Sequence, residues 1–217
     1  MKQTAFLILA ATLLLAGCNN SSEDKSKSGS DSTKMSAGND EKKDTAPLDS
    51  TTKAQNWKAY MTPGDMQKMI ASWDGTWISD MTMWEAPGAT PQKTTGTAVN
   101  KMVLGGRYQE SVNTSIMMGM PFEGHGTLGY DNLKKVFEST WIDNFGTGVM
   151  KMSGPWDAAT KTVTLTGKMT DPQTGQEADY KETFTVVDDN TQMMAMYAKG
   201  PDGKEFKNME IKFTRKK

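Results

Sequence analysis

The chain has 217 residues, with 25 lysines and arginines against 26 aspartates and glutamates, one histidine and one cysteine. A net charge of −1 lacks the basic bias expected of a nucleic-acid-binding protein. A lone histidine excludes multi-histidine zinc and copper sites, and a lone cysteine cannot close an internal disulfide.

The first residues carry the parts of an export signal: positive charge at Lys2, an apolar run from Ala5 to Leu15 broken only by Thr12, then small residues. That run is too short to span a bilayer, which needs about 20 apolar residues. Residues 1–17 are therefore set apart from the fold as a signal segment. The run ends in Leu15-Ala16-Gly17-Cys18, which resembles the bacterial lipobox. There a small residue precedes a cysteine that is diacylated and becomes the mature N-terminus. The resemblance implies that Cys18 is lipidated and holds an extracytoplasmic protein on a membrane. Burial of acyl chains contributes about 0.8 kcal/mol per methylene, and more than one chain makes the anchoring stable. Asn19 stands where an Asp typically marks inner-membrane retention in enteric-type bacteria, which points to the outer membrane in a diderm organism. An acylated Cys18 leaves no thiol chemistry for the rest of the chain.

Residues 18–55 after the signal are rich in Ser, Lys, Asp, Gly, Thr and Asn. So few apolar side chains cannot offset the entropy of ordering the backbone, so this stretch is expected to be a disordered tether. As a flexible coil it would span roughly 35 Å. Residues 56–217 suffice for one domain.

The domain opens on a helix signal. Thr62 is placed to cap, Pro63 to occupy the first helical position and Asp65 to complete a variant capping box, while Met66, Met69, Ile70 and Trp73 form an apolar stripe. Beyond Trp73 the period changes to two. Turn signals then recur at hairpin spacing: Pro87-Gly88, Gly105-Gly106, Asp131-Asn132, Asp157 to Thr160, Asp171 to Gly175, Asp188 to Asn190 and Pro201-Asp202-Gly203. Tyr180, Phe184 and Val186 alternate with Lys181, Thr183 and Thr185. Met209, Ile211 and Phe213 alternate with polar neighbours, and Met150, Met152 and Trp156 share a face. The expected fold is all-β: an antiparallel, lipocalin-like β-barrel of about ten strands with one short N-terminal α-helix.

Gly75-Thr76-Trp77, at the start of the first strand, resembles the Gly-x-Trp signature of lipocalins. That resemblance implies an arginine from the last strand packed across the tryptophan to close the barrel base. Arg215, one of two arginines, is in phase with Phe213 at the end of that strand and is expected to touch Trp77. Further blocks are Leu104-Gly105-Gly106-Arg107, Met120-Pro121-Phe122-Glu123-Gly124, Gly129-Tyr130-Asp131, Ser139-Thr140-Trp141-Ile142-Asp143, Asp171-Pro172 with Thr174-Gly175, and Pro201-Asp202-Gly203-Lys204-Glu205-Phe206. In this order they resemble the bacterial family called domain of unknown function 1579. The resemblance implies the architecture and brings no activity with it.

Few residues offer chemistry. His125 shares phase with Glu123 and Thr127, opposite Phe122, Leu128 and Tyr130, and is expected to face outward. Two carboxylates fall on apolar faces: Glu182 between Tyr180 and Phe184, and Glu110 in phase with Tyr108 and Val112. Inside a barrel each needs a partner or serves as a polar handle for a ligand. Tyr108, Glu110, Met150, Met152, Tyr180 and Glu182 are accordingly the expected ligand-binding residues. The 18 methionines read as adaptable packing or pocket lining. Met-x-Met pairs such as Met150-x-Met152 leave Cu(I) as an alternative. No phosphate-binding loop, nucleophile elbow or metal-ligand cluster stands out, and no cofactor or metal is expected. The expected function is a membrane-anchored barrel that binds a small apolar or amphipathic molecule. The alternatives are an envelope scaffold with a filled barrel, or an enzyme built on Glu110 and Glu182.

Overall fold

The structure is a computed structural model that describes residues 47–172 and 174–217. The expected signal segment, Cys18 and most of the expected tether lie outside the described residues. Two helices come first, α1 (Ser50–Met61) and α2 (Asp65–Ala71). The strands follow: β1 (Gly75–Met83), β2 (Gln92–Val103), β3 (Tyr108–Met117), β4 (Met120–Asp131), β5 (Val136–Asp143), β6 (Met150–Gly154), β7 (Trp156–Asp157), β8 (Thr162–Thr170), β9 (Glu177–Asp188), β10 (Thr191–Lys199) and β11 (Glu205–Arg215).

Strands adjacent in sequence pair antiparallel from β1 to β6 and from β7 to β11; β1 pairs with β11, and β6 also pairs with β8. The sheet therefore closes. Strands β6 and β7 run along β8 as one course interrupted at Pro155, which has no N–H to give the ladder but accepts from Thr164 N at 3.1 Å. Counted this way the protein is a closed antiparallel barrel of ten strands, and closure leaves no long open edge. The β6–β8 seam is short, with only Lys151, Met152 and Ser153 in register with Lys168, Gly167 and Thr166. Glycines let the strands approach there: a Cβ on Gly154 would collide with the Thr164 carbonyl, and one on Gly167 with the Lys151 carbonyl.

Each turn signal named above falls at a junction between strands, three of them starting on a strand's last residue, Asp131, Asp157 or Asp188. One hairpin was carried by a less obvious pair, Met118-Gly119, which joins β3 to β4 with φ of 51° and 76°. Two positive φ values in a two-residue loop match the twist of the flanking strands.

Helix α2 is the amphipathic helix expected from the sequence, but its start differs. Gly64 is the N-cap, with its N–H donating to Gln67 Oε1 at 2.8 Å, and the helix begins at Asp65. Thr62 instead terminates α1, its N–H and Oγ1 both donating to Lys58 O. The additional helix α1 begins inside the segment expected as tether. Asp49 caps it, accepting from Thr51 N at 2.8 Å and Thr52 N at 2.9 Å. It buries no residue, so it has no apolar stripe by which periodicity could reveal it.

Helix α2 closes one end of the barrel. Ile70 and Trp73 are buried in a core with Phe137, Met152, Val163 and Leu165, and Met66 and Met69 pack against it. Carbonyls in and just beyond the last turn, which lack intrahelical donors, are taken up by strand side chains. Gln109 Nε2 donates to Ile70 O at 2.9 Å, Trp77 Nε1 to Trp73 O at 2.9 Å, and Arg215 Nη2 to Ser72 O at 2.8 Å. Asp74 continues the clasp, accepting from Gln109 Nε2 at 2.8 Å and Met102 N at 2.9 Å.

Candidate functional site: the barrel interior

In-register residues on neighbouring strands share a face, so the pairing fixes which side chains point inward. On β3 the outcome reverses the expected one. Tyr108, Val112 and Ile116 face outward and are 41%, 36% and 57% exposed. Gln109, Ser111, Asn113, Ser115 and Met117 face the interior. Val112 is in register with Val99 on one side and His125 on the other, and all three lie on the outer surface. Tyr108 and Glu110, expected to bind ligand, are thus corrected to the outside of the barrel. Apolar alternation marks the inner face only where that face is apolar, and the inner face of β3 is lined with small polar residues.

The other expected positions separate into two groups. Met150 and Glu182 border an interior cavity of about 410 Å³, whereas Met152 and Tyr180 belong to the packed core beside it. His125 lies on the outer surface with Nε2 2.8 Å from Glu123 Oε1. Arg215 lies over Trp77 with Cζ 4.2 Å from the ring centroid. Besides Ser72 O, it donates to Asp74 O at 2.6 Å and Asp189 O at 2.9 Å. A stacked guanidinium contributes about 0.5–2 kcal/mol. These contacts join the last strand to the first at the closed end, making this a structural site.

The cavity has two unlike walls. One is apolar, built from Val163, Leu165 and Met169 of β8, Phe184 of β9, Met194 and Met196 of β10, and Met209, Ile211 and Phe213 of β11. The facing wall carries Ser79 of β1, Asn100 of β2, the inward polar residues of β3 and Ser139 of β5. Within it, Asn100 Oδ1 and Ser115 Oγ are buried without a hydrogen-bond partner. Sequence reasoning passed over these residues. The sequence signal for those on β3 is their strict alternation, which a solvent-facing row would show equally.

Seven methionines line the cavity, from β1, β3, β6, β8, β10 and β11, which spreads the thioethers around the barrel. Two carboxylates also line it. Asp143 is committed locally, accepting from Trp141 Nε1, Phe145 N and Gly146 N at 2.9–3.1 Å. Glu182 is different. It lies in register between Leu165 and Met196, and among the described residues no hydrogen bond or ion pair engages its carboxyl. Burial alone pushes its pKa up from 4.5 to about 7, because no cation or donor stabilises the charged form. Among the described residues no cluster of three His, Cys, Asp or Glu side chains could hold a metal ion.

Fold and interior together define an antiparallel β-barrel with an internal cavity. The chain belongs to the DUF1579 family of proteins of unknown function, whose family model matches residues 62–215. No curated protein matches it. Among solved structures, Rv2717c from M. tuberculosis is similar in fold, with a TM-score of 0.55 at 12% identity over 72% of this chain and 100% of that one. A redesigned beta barrel aligns at a TM-score of 0.37 and 12% identity, over 68% of this chain and 95% of that one.

Proposed function

We propose that this protein binds a small amphipathic or apolar molecule inside the barrel while Cys18 tethers it to an extracytoplasmic membrane surface, the outer membrane in a diderm organism. The cavity of about 410 Å³ carries the binding reading. That volume is within the range of ligand pockets, roughly 300–1,000 Å³. Its walls combine an aliphatic, thioether and aromatic surface for an apolar body with a wall of small polar groups that can orient a bound molecule. The space supports a carrier or sensor over a scaffold with a filled interior. The lipobox-like Leu15-Ala16-Gly17-Cys18 supports the anchor.

Mass spectrometry of the protein extracted from its native membranes tests both halves. The expected spectra show an acylated N-terminal Cys18 under denaturing conditions and, under native conditions, one additional small molecule per chain that is lost on denaturation. An unmodified cysteine would remove the tether. A chain that purifies with an empty interior and takes up no apolar molecule would remove the carrier.

A further inference from the structure

The class of ligand can be narrowed from the charges facing the cavity, an inference that rests on the binding reading above. Two acids line it, Asp143 and Glu182, and no lysine, arginine or histidine does so among the described residues. The chain's nearby cations are engaged outside: Lys181, next to Glu182 in sequence, pairs with Glu205 and lies over the Tyr197 ring. Asp143 is held by three donors, whereas Glu182 has none among the described residues. An ionisable group isolated on an apolar wall is costly unless something arrives to pair with it.

We infer that the ligand is an amphipathic amine whose ammonium group pairs with Glu182 while its apolar body lies along the methionine and phenylalanine wall. A carboxylic acid would meet a like charge and a neutral lipid would leave Glu182 unpaired, whereas a cation pairs with the one uncommitted carboxyl. Cations are also accepted by aromatic faces. Phe184 is beside Glu182 on the inward face of β9, and Phe122, Trp141 and Phe145 form a second aromatic group on the wall, with centroids 5.3–6.5 Å apart.

Pairing requires Glu182 to be ionised, so amine affinity should rise with pH. The inward groups on the elements packed against Glu182 are Leu165 of β8 and Met196 of β10, neither titratable. The other ionisable groups of the interior are Tyr180 on the same strand, whose phenol burial pushes up, Tyr130, and Asp143.

The test is calorimetric titration of the purified full chain with decylamine, decanol and decanoate at pH 5 and pH 8, repeated with Glu182→Gln and Asp143→Asn. At pH 8 decylamine should bind about tenfold or more tighter than decanol, a preference of about 1.4 kcal/mol, with decanoate weakest. The amine preference should shrink at pH 5, vanish in Glu182→Gln and persist in Asp143→Asn. Equal binding of the three probes, or a preference that survives Glu182→Gln in a folded variant, would overturn the amine assignment and leave the apolar cavity standing. Failure of all three to bind would overturn the cavity reading with it.

Discussion

At the scale of single residues, Glu182 and Arg215 show how context decides whether a charge is structural. Arg215 spends its guanidinium on three backbone carbonyls and an indole face, so its charge joins the two ends of the domain. Glu182 has no such partners, and its raised pKa has a consequence for stability. Between the unfolded value near 4.5 and the folded value of about 7, the native state binds the proton more tightly than the unfolded one. Stability therefore falls as pH rises through that window and levels off above it. Glu182→Gln keeps the shape and removes the titration. In the ligand-free protein it should unfold at nearly the same temperature as the wild type at pH 4, below the unfolded value. At pH 8.5 it should be the more stable of the two, by up to about 3 kcal/mol. Thermal melts followed by circular dichroism at both pH values check this, and an equal gap at both would place the carboxyl in contact with a partner. Sequence phase located Glu182 on an inward face correctly, but it could not supply the missing partner. That depends on which lysines turn outward across three strands.

At the scale of elements, the barrel is legible where its inner face is apolar and illegible where it is not. Strands β9 and β11 announce themselves through Phe184, Ile211 and Phe213, and the turn residues between strands place most hairpins. Strand β3 misleads because Val112 and Ile116 are on the outside and Ser111 and Asn113 on the inside. A one-residue change of phase exchanges the two faces, so the rule that apolar residues point inward put Glu110 in the barrel. Helix α1 carries no periodic signal for a related reason: its cap is visible at Asp49, but Trp57 and Tyr60 are exposed and no stripe faces the core. Arg107 and Asn132 hold it in place through the backbone carbonyls of Met61, Ala59 and Thr62, long-range bonds with no local signature.

The element on which closure depends is the β6–β8 seam. It is short, and the absence of a side chain at Gly167 lets the Lys151 carbonyl approach. Gly167→Ala should separate these strands and lower stability by about 2 kcal/mol or more, within the range of mutations that force backbone to move. Alanine at Gly148, where a Cβ would meet open space, should change stability by less than about 0.5 kcal/mol. Chemical denaturation of both variants gives the comparison, and similar midpoints would show that the seam tolerates the methyl group.

At the scale of the whole molecule, helix α2 and the Trp77–Arg215 pair close one end, while the cavity occupies the interior bordered by a methionine-rich wall and a small polar one. A closed sheet of ten strands lets side-chain size decide whether the interior is filled. Here the serines and asparagines of one wall are too small to meet the opposite wall, which leaves the space. Substituting Ser111, which borders the cavity, with phenylalanine should fill that space without altering the outer surface. The most direct measurement is therefore a titration of wild type and Ser111→Phe with the apolar fluorophore Nile red, each first shown to be folded. The expected result is one saturable site with a blue-shifted emission in the wild type, weakened about tenfold or more in Ser111→Phe. Equal binding by the two proteins, or no saturable binding by either, would contradict a ligand site inside the barrel.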